Sequence, residues 1–161
     1  MKKITSKQAC SEQATKIIKK YAFGSGLFGY IPFPVVDALG IMAVQRKMLF
    51  HLANIYDIPF SRSLAKDLLR MLLGGIASRA AVPMAIKMIP GINVLFGSTG
   101  MAAIGSASTY AVGKTFKQHF DGGGTLEDFN PAEEKETFEE ELKKGITLSQ
   151  KKVISDVHFK V

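Results

Sequence analysis

A stretch of 23 residues, Gly91 to Gly113, holds no charged side chain and is bounded by Lys87 and Pro90 before it and Lys114 and Lys117 after it. About 20 mostly apolar residues suffice for a helix to cross a bilayer, so the length is adequate. Composition narrows the options further, because five Gly, four Ala and several Ser and Thr leave room for few large aliphatics. Ser98, Ala102 and Ser106 stand four apart, as do Gly105, Thr109 and Gly113. Small residues at that interval let helix backbones approach closely, and helices packed inside bilayers over-use them. The preferred reading is a membrane-packed helix; the alternative is a tightly packed helix in a water-soluble bundle.

At 161 residues the chain suffices for one domain, or one domain with a tail, and for a core that needs no disulfide. Cys10 is the single cysteine, which excludes an internal disulfide and a cysteine zinc site. His51, His119 and His158 are far apart and form no metal-binding spacing. The opening Met1-Lys2-Lys3 is basic, but no apolar run follows, so a secretory signal is not expected and a cytoplasmic start is the default. Mean hydropathy of +0.12 is high for a soluble protein and low for a polytopic transporter, which suits partial embedding. Charge is unevenly divided. Residues 1–120 hold 15 Lys and Arg against 4 Asp and Glu, residues 121–144 hold 3 against 9, and residues 145–161 hold 3 against 1. A basic body with an acidic segment fits contact with an anionic surface and a tail held away from it. Nucleic acid is the competing anion, disfavoured because the basic residues are spread between apolar runs with few aromatics among them.

The elements read as all-α. Residues 4–30 form a first helix that turns from polar at Ser6–Thr15 to apolar at Tyr21–Tyr30, with Lys19-Lys20 between. Ile31-Pro32-Phe33-Pro34 breaks it, since neither proline donates a backbone hydrogen bond. Val35–Tyr56 is the second helix, with Leu49, Leu52 and Ile55 on one side and Asp57-Ile58-Pro59 closing it. Ser61 caps a third, Arg62–Met88, which Pro83 should kink near Arg79. Pro90-Gly91 turns the chain into the uncharged helix, which runs on to His119 or Phe120. The Gly122-Gly123-Gly124 run makes 121–130 a hinge between a membrane-associated helical domain, 1–120, and an acidic helix and tail, 131–161. That amphipathic helix starts with Asn130 at the N-cap, Pro131 at N1 and Glu133 at N3, and should stop at Gly145. Only Phe138 and Leu142 give it an apolar side, so it should lie in solvent or dock lightly. Beyond it, Val157, Phe159 and Val161 alternate, which suits a short strand or an extended tail.

The helices group into two proline-tipped hairpins, with apices at Pro32/Pro34 and at Pro90/Gly91. In the first, eleven residues separate Lys20 from Pro32 and Pro34 from Arg46. That is about 16 Å of helix, roughly one leaflet of a bilayer, so the hairpin should dip rather than cross. Asp37 and Lys87 each stand three positions from an apex proline. A charge at that depth costs at least about 2.5–3.5 kcal/mol, so the two are expected to pair across the apices, which a double charge swap tests. Otherwise Asp37 caps the second helix and Lys87 reaches solvent. Lys19, Lys20, Arg46, Lys47, Arg79, Lys114 and Lys117 lie near the ends of the apolar arms and are the candidate contacts to lipid headgroups. Ser98, Ala102, Gly105, Ser106, Thr109 and Gly113 are the candidate self-association face.

No catalytic, cofactor-binding or metal-binding residues are expected. Ser108 to Thr115 approximates a phosphate-binding loop, but Ser108 replaces its first glycine and no strand precedes it. The carboxylate pairs lie on the acidic helix, where a solvated face explains them. Met42, Met48, Met71, Met84, Met88 and Met101 suit gap-filling in a core.

Gly29-x-Ile31-Pro32-x-Pro34-x-x-Asp37, followed by Gln45, Met48, Leu52 and Tyr56, resembles the YcjF-like domain, a bacterial membrane-associated family of unknown function. Ile89-Pro90-Gly91, the run Ser108–Lys114, and Phe120 with the glycine run and acidic helix agree, so the resemblance covers about residues 14–145. It implies an all-helical membrane module that a separate Era-like GTPase recruits or acts on, and it carries no catalytic residue across. The expected function is therefore non-enzymatic: a self-associating protein of the bacterial inner membrane, bound to anionic lipids, with both termini cytoplasmic. An adaptor or regulator of a separate GTPase, engaged through the acidic tail, is the alternative. A small pore lined by Asp37, Arg79 and Lys87 is a third.

Overall fold

The computed structural model describes the backbone of residues 2–28, 34–77 and 98–158, and side chains across 6–22, 40–74 and 105–149. Within these residues the chain is all-helical, with five helices and no strand: α1 (Lys2–Phe28), α2 (Pro34–Ile55), α3 (Arg62–Ala77), α4 (Ser98–Asp121) and α5 (Lys135–His158). Local chemistry sets most of their ends. Pro34 opens α2, where its fixed φ suits a first helical turn and its missing N–H is no loss. Asp57 closes α2 in the left-handed region, at φ 56°. The Ile58 N–H then reaches back to the Ala53 carbonyl at 2.8 Å and the Asp57 N–H to Asn54 at 3.4 Å, a Schellman closure. Ser61 caps α3, its hydroxyl accepting from the Leu64 N–H at 3.4 Å.

α4 is the central helix. Ala107, Ala111, Val112, Thr115 and Phe116 are all fully buried, so it is covered on more than one side. α1 and α5 lie along it, α2 packs against α1 and α4, and α3 leans on α2. Gln45, Met48, Leu49 and Leu52 of α2 and Ala65, Leu68, Leu69 and Leu72 of α3 each follow the i, i+3, i+4, i+7 spacing of a single buried stripe. α3 rests on α2 rather than pairing along α4, so the described residues do not form the two matched arms expected of a second hairpin. The continuation of α3 to Met88, the Pro83 kink and the apex residues Pro32, Pro90 and Gly91 fall outside the described residues. Met48 fills the core as expected, whereas Met71 is 53 % exposed on α3.

Past α4 the chain returns to the core instead of lying free. Leu126 and Phe129 are buried, and Phe129 stacks on Phe116 with ring centroids 3.9 Å apart and 6° between planes. Phe138 of α5 joins the same cluster and is buried as well. The expectation of a solvated or lightly docked acidic helix is therefore corrected: three aromatic or aliphatic anchors hold it and its approach to α4. Asn130 does cap the entry, accepting from the Ala132 N–H at 3.1 Å and donating to Glu133 at 2.7 Å. Gly145 does not end the helix, which runs on to His158, so residues 146–158 form neither strand nor extended tail. Gly145 is where α5 crosses α4. A Cβ there would stand 3.0 Å from both the Cα and the carbonyl oxygen of Ala107, so glycine serves close approach and not termination.

Among the described residues no helix is long and apolar enough to cross a membrane. Residues 91–97 of the span expected at 91–113 lie outside the described residues, and the helix that carries the rest, Ser98–Asp121, is not apolar enough by itself.

Candidate functional site

The Gly105, Thr109, Gly113 ladder, expected to meet another copy of the chain, is buried inside this one. Gly113 lies against α1 and α2 so closely that an added Cβ would stand 2.8 Å from Ile18 Cγ1 and 3.0 Å from Met48 Sδ. One turn earlier, the buried amide of Gln45 donates to Ser108 Oγ at 3.2 Å and to Thr109 Oγ1 at 3.4 Å. The small residues do permit close helix packing, but the partners are α1 and α2 of the same molecule. Ser106 is half-buried, and the side chains of Ser98 and Ala102 lie outside those described. Ser108–Thr115 is continuous helix, with the Thr115 hydroxyl donating to the Ala111 carbonyl at 2.9 Å, so its amides do not form a phosphate loop.

Lys117 is corrected as a headgroup contact. It is 7 % exposed, and its Nζ donates to Asp121 Oδ2 and to Ser11 Oγ, both at 2.6 Å. Asp121 Oδ1 also accepts from the Tyr56 hydroxyl at 2.7 Å, so one carboxylate ties α1, α2 and α4 together. Burial pushes the Asp121 carboxyl up, but hydrogen bonds from Lys117 and Tyr56 outweigh it and hold the carboxyl below its usual range. Burial, and then the same carboxylate, push the Tyr56 phenol up. Ser11 beside Lys117 is not an activated nucleophile, because the lysine is ion-paired with Asp121 and so is no free base.

A second cluster fastens the glycine run. His119 Nε2 lies 3.1 Å from both the Thr125 carbonyl and Asp128 Oδ1, and Nδ1 lies 3.3 Å from Glu134 Oε1. The Thr125 N–H donates to Asp128 Oδ1 at 2.5 Å and its hydroxyl does so at 2.8 Å; with His119 these bring the Asp128 carboxyl down to about 2. The two ring nitrogens face different carboxylates, so the group does not converge on one ion. Among the described residues no set of three or more His, Cys, Asp or Glu side chains is arranged to hold a metal.

Of the other predicted headgroup contacts, Lys19, Lys20, Arg46 and Lys47 are exposed, and none has an ion-pair partner among the described residues. Lys114 is half-buried. Arg79 and Lys87 and the side chain of Asp37 lie outside the description, so the proposed Asp37–Lys87 pair does too. Sequence reasoning missed Tyr21 and His51, whose Oη and Nδ1 meet at 2.7 Å between α1 and α2. No spacing in the sequence marks the pair, since Tyr21 lies 11 positions before Pro32 and His51 lies 17 after Pro34.

The family described as a domain of unknown function, DUF697, matches residues 2–156, reaching past residue 145 where the motif resemblance ended. Among curated proteins, Magnetosome membrane protein 22 of Magnetospirillum gryphiswaldense is 28 % identical over 142 residues, spanning 86 % of this chain and 73 % of its own length. No solved structure matches.

Proposed function

We propose, for a chain that belongs to the DUF697 family of unknown function, a non-enzymatic role at a membrane. The observation that carries the reading is likeness along 86 % of the chain to a protein named for the magnetosome membrane. Exposed Lys19, Lys20, Arg46 and Lys47 supply the means, since each basic residue near an anionic leaflet contributes about 1 kcal/mol. The cytoplasmic leaflet of a bacterial inner membrane is the surface this charge suits. Self-association, on this reading, uses a surface other than the Gly105–Thr109–Gly113 ladder, which the chain's own helices occupy. The test is co-sedimentation of the full chain with vesicles containing phosphatidylglycerol, followed by high-salt and carbonate washes. Binding is expected at low salt, and release by salt would make attachment electrostatic. A chain that stays in the supernatant with anionic vesicles contradicts the reading.

A further inference from the structure

Between α1 and α2 lies a groove of about 560 Å³ whose polar lining is Gln13, Lys20, Tyr21, His51 and Asn54, with Ile17 and Ile55 supplying the apolar part. No lining residue is acidic. The Tyr21 hydroxyl meets His51 Nδ1 at 2.7 Å, and burial pushes the Tyr21 phenol up, so it stays protonated and able to donate. In the tautomer with the hydrogen on Nε2, that hydroxyl donates to Nδ1 and the opposite ring nitrogen is itself a donor. The Lys20 ammonium and the side-chain amides of Gln13 and Asn54 have no hydrogen-bond partner among the described residues. In that tautomer four donors without partners share one concave surface. Lys20 is the one charged residue of the lining and no carboxylate opposes it, which favours an anion, and a phosphate group brings more oxygens and more charge than a carboxylate. The volume lies within the range of small-ligand sites.

We infer that this groove binds a phosphate group, carried by an anionic lipid headgroup or by a free phosphate ester. The inference rests on the membrane reading only for the lipid source. Lys20 supplies charge, while His51, Asn54 and Gln13 supply directed hydrogen bonds, and Tyr21 holds the His51 ring in the donating form.

The test follows the imidazole resonances of His51 by NMR in the full chain. They are recorded against inorganic phosphate, against vesicles of phosphatidylglycerol with phosphatidylcholine, and against phosphatidylcholine alone. A saturable His51 shift is expected with phosphate or with the anionic vesicles. Response to phosphate only assigns a soluble ester, and response to anionic vesicles only assigns a headgroup; either supports the groove. Asn54→Asp, an exposed change that sets a carboxylate in the lining, should weaken the response about tenfold or more, as loss of a charge-assisted hydrogen bond predicts. Lys20→Gln should weaken it similarly, while Lys19→Gln, one position outside the groove, should change it less than about twofold. Absence of any saturable His51 response overturns the inference, as does an equal response to phosphatidylcholine alone. Equal effects of Lys19→Gln and Lys20→Gln overturn it too, yet leave general attraction to anionic membranes intact. A phosphate response in a chain that binds no vesicle removes the membrane reading and keeps the groove.

Discussion

At Lys117 a side chain whose sequence position suggests a membrane surface is turned inward by a carboxylate one helical turn on. Asp121 alone does not explain the burial, because an exposed i, i+4 pair is worth only about 0.3–0.5 kcal/mol. Ser11 and Tyr56 complete the arrangement from other helices. Tyr56→Phe removes one donor to Asp121 and should lower stability in urea by about 0.5 kcal/mol, the low end for a hydrogen bond, because Asp121 is partly solvated. No change in the unfolding midpoint would remove Tyr56 from the arrangement. The carboxylates also set a pH dependence. Asp121 and Asp128 sit below the ordinary value of 3.8, Asp128 at about 2. A depressed folded pKa stabilises fully above the unfolded value and loses that contribution as pH falls through the folded one. Their share should be complete above about pH 5 and disappear between about pH 4 and 2. Asp128→Asn should therefore show a shallower fall of Tm across that window, and parallel curves would contradict it.

Among the helices, the glycines separate close crossings from open surface. In an open helix Gly→Ala stabilises by up to about 1 kcal/mol, since alanine loses less backbone freedom on folding. Gly74 has nothing within 4 Å of an added Cβ, so Gly74→Ala should raise Tm. Gly113→Ala would put its methyl 2.8 Å from the buried Ile18, and Gly145→Ala would press on the Ala107 backbone. Both should lower stability by about 1–3 kcal/mol, the usual cost of overpacking. Thermal unfolding of the three variants checks the opposite signs. Stabilisation by all three would mean that α4 does not approach its neighbours so closely. The former assembly ladder thus becomes a set of folding determinants.

For the whole molecule, the question is whether the acidic segment is an appendage or part of the core. Leu126, Phe129 and Phe138 cluster with Phe116 and Phe120 of α4, and Gln118 of α4 donates to the buried Glu141 at 3.3 Å. Ending the chain after Asp121 should leave Phe116 and Phe120 exposed and abolish cooperative unfolding. A truncated chain with a sharp transition near the full-length Tm would show that residues 1–121 fold alone. Phe138→Ala, a smaller change, should cost about 3–5 kcal/mol in the full chain.

Features set within four or five residues were legible in the sequence. Pro34 starts α2, Asp57 ends it, Ser61 caps α3 and Asn130 leads into α5, because caps, prolines and turns are satisfied by their own neighbours. The periodic stripes of α2 and α3 and the all-helical class belong with them. The small-residue run Gly91–Gly113 implied close helix contact for the same local reason: without large side chains, backbones can approach. It did not say whose backbone. Only the tertiary structure brought Ile18, Met48 and Gln45 against α4 and Ala107 against Gly145, and paired Lys117 with Ser11, 106 positions away. Burial and ion pairing belong to the neighbours a side chain acquires on folding, and spacing along one helix does not name them.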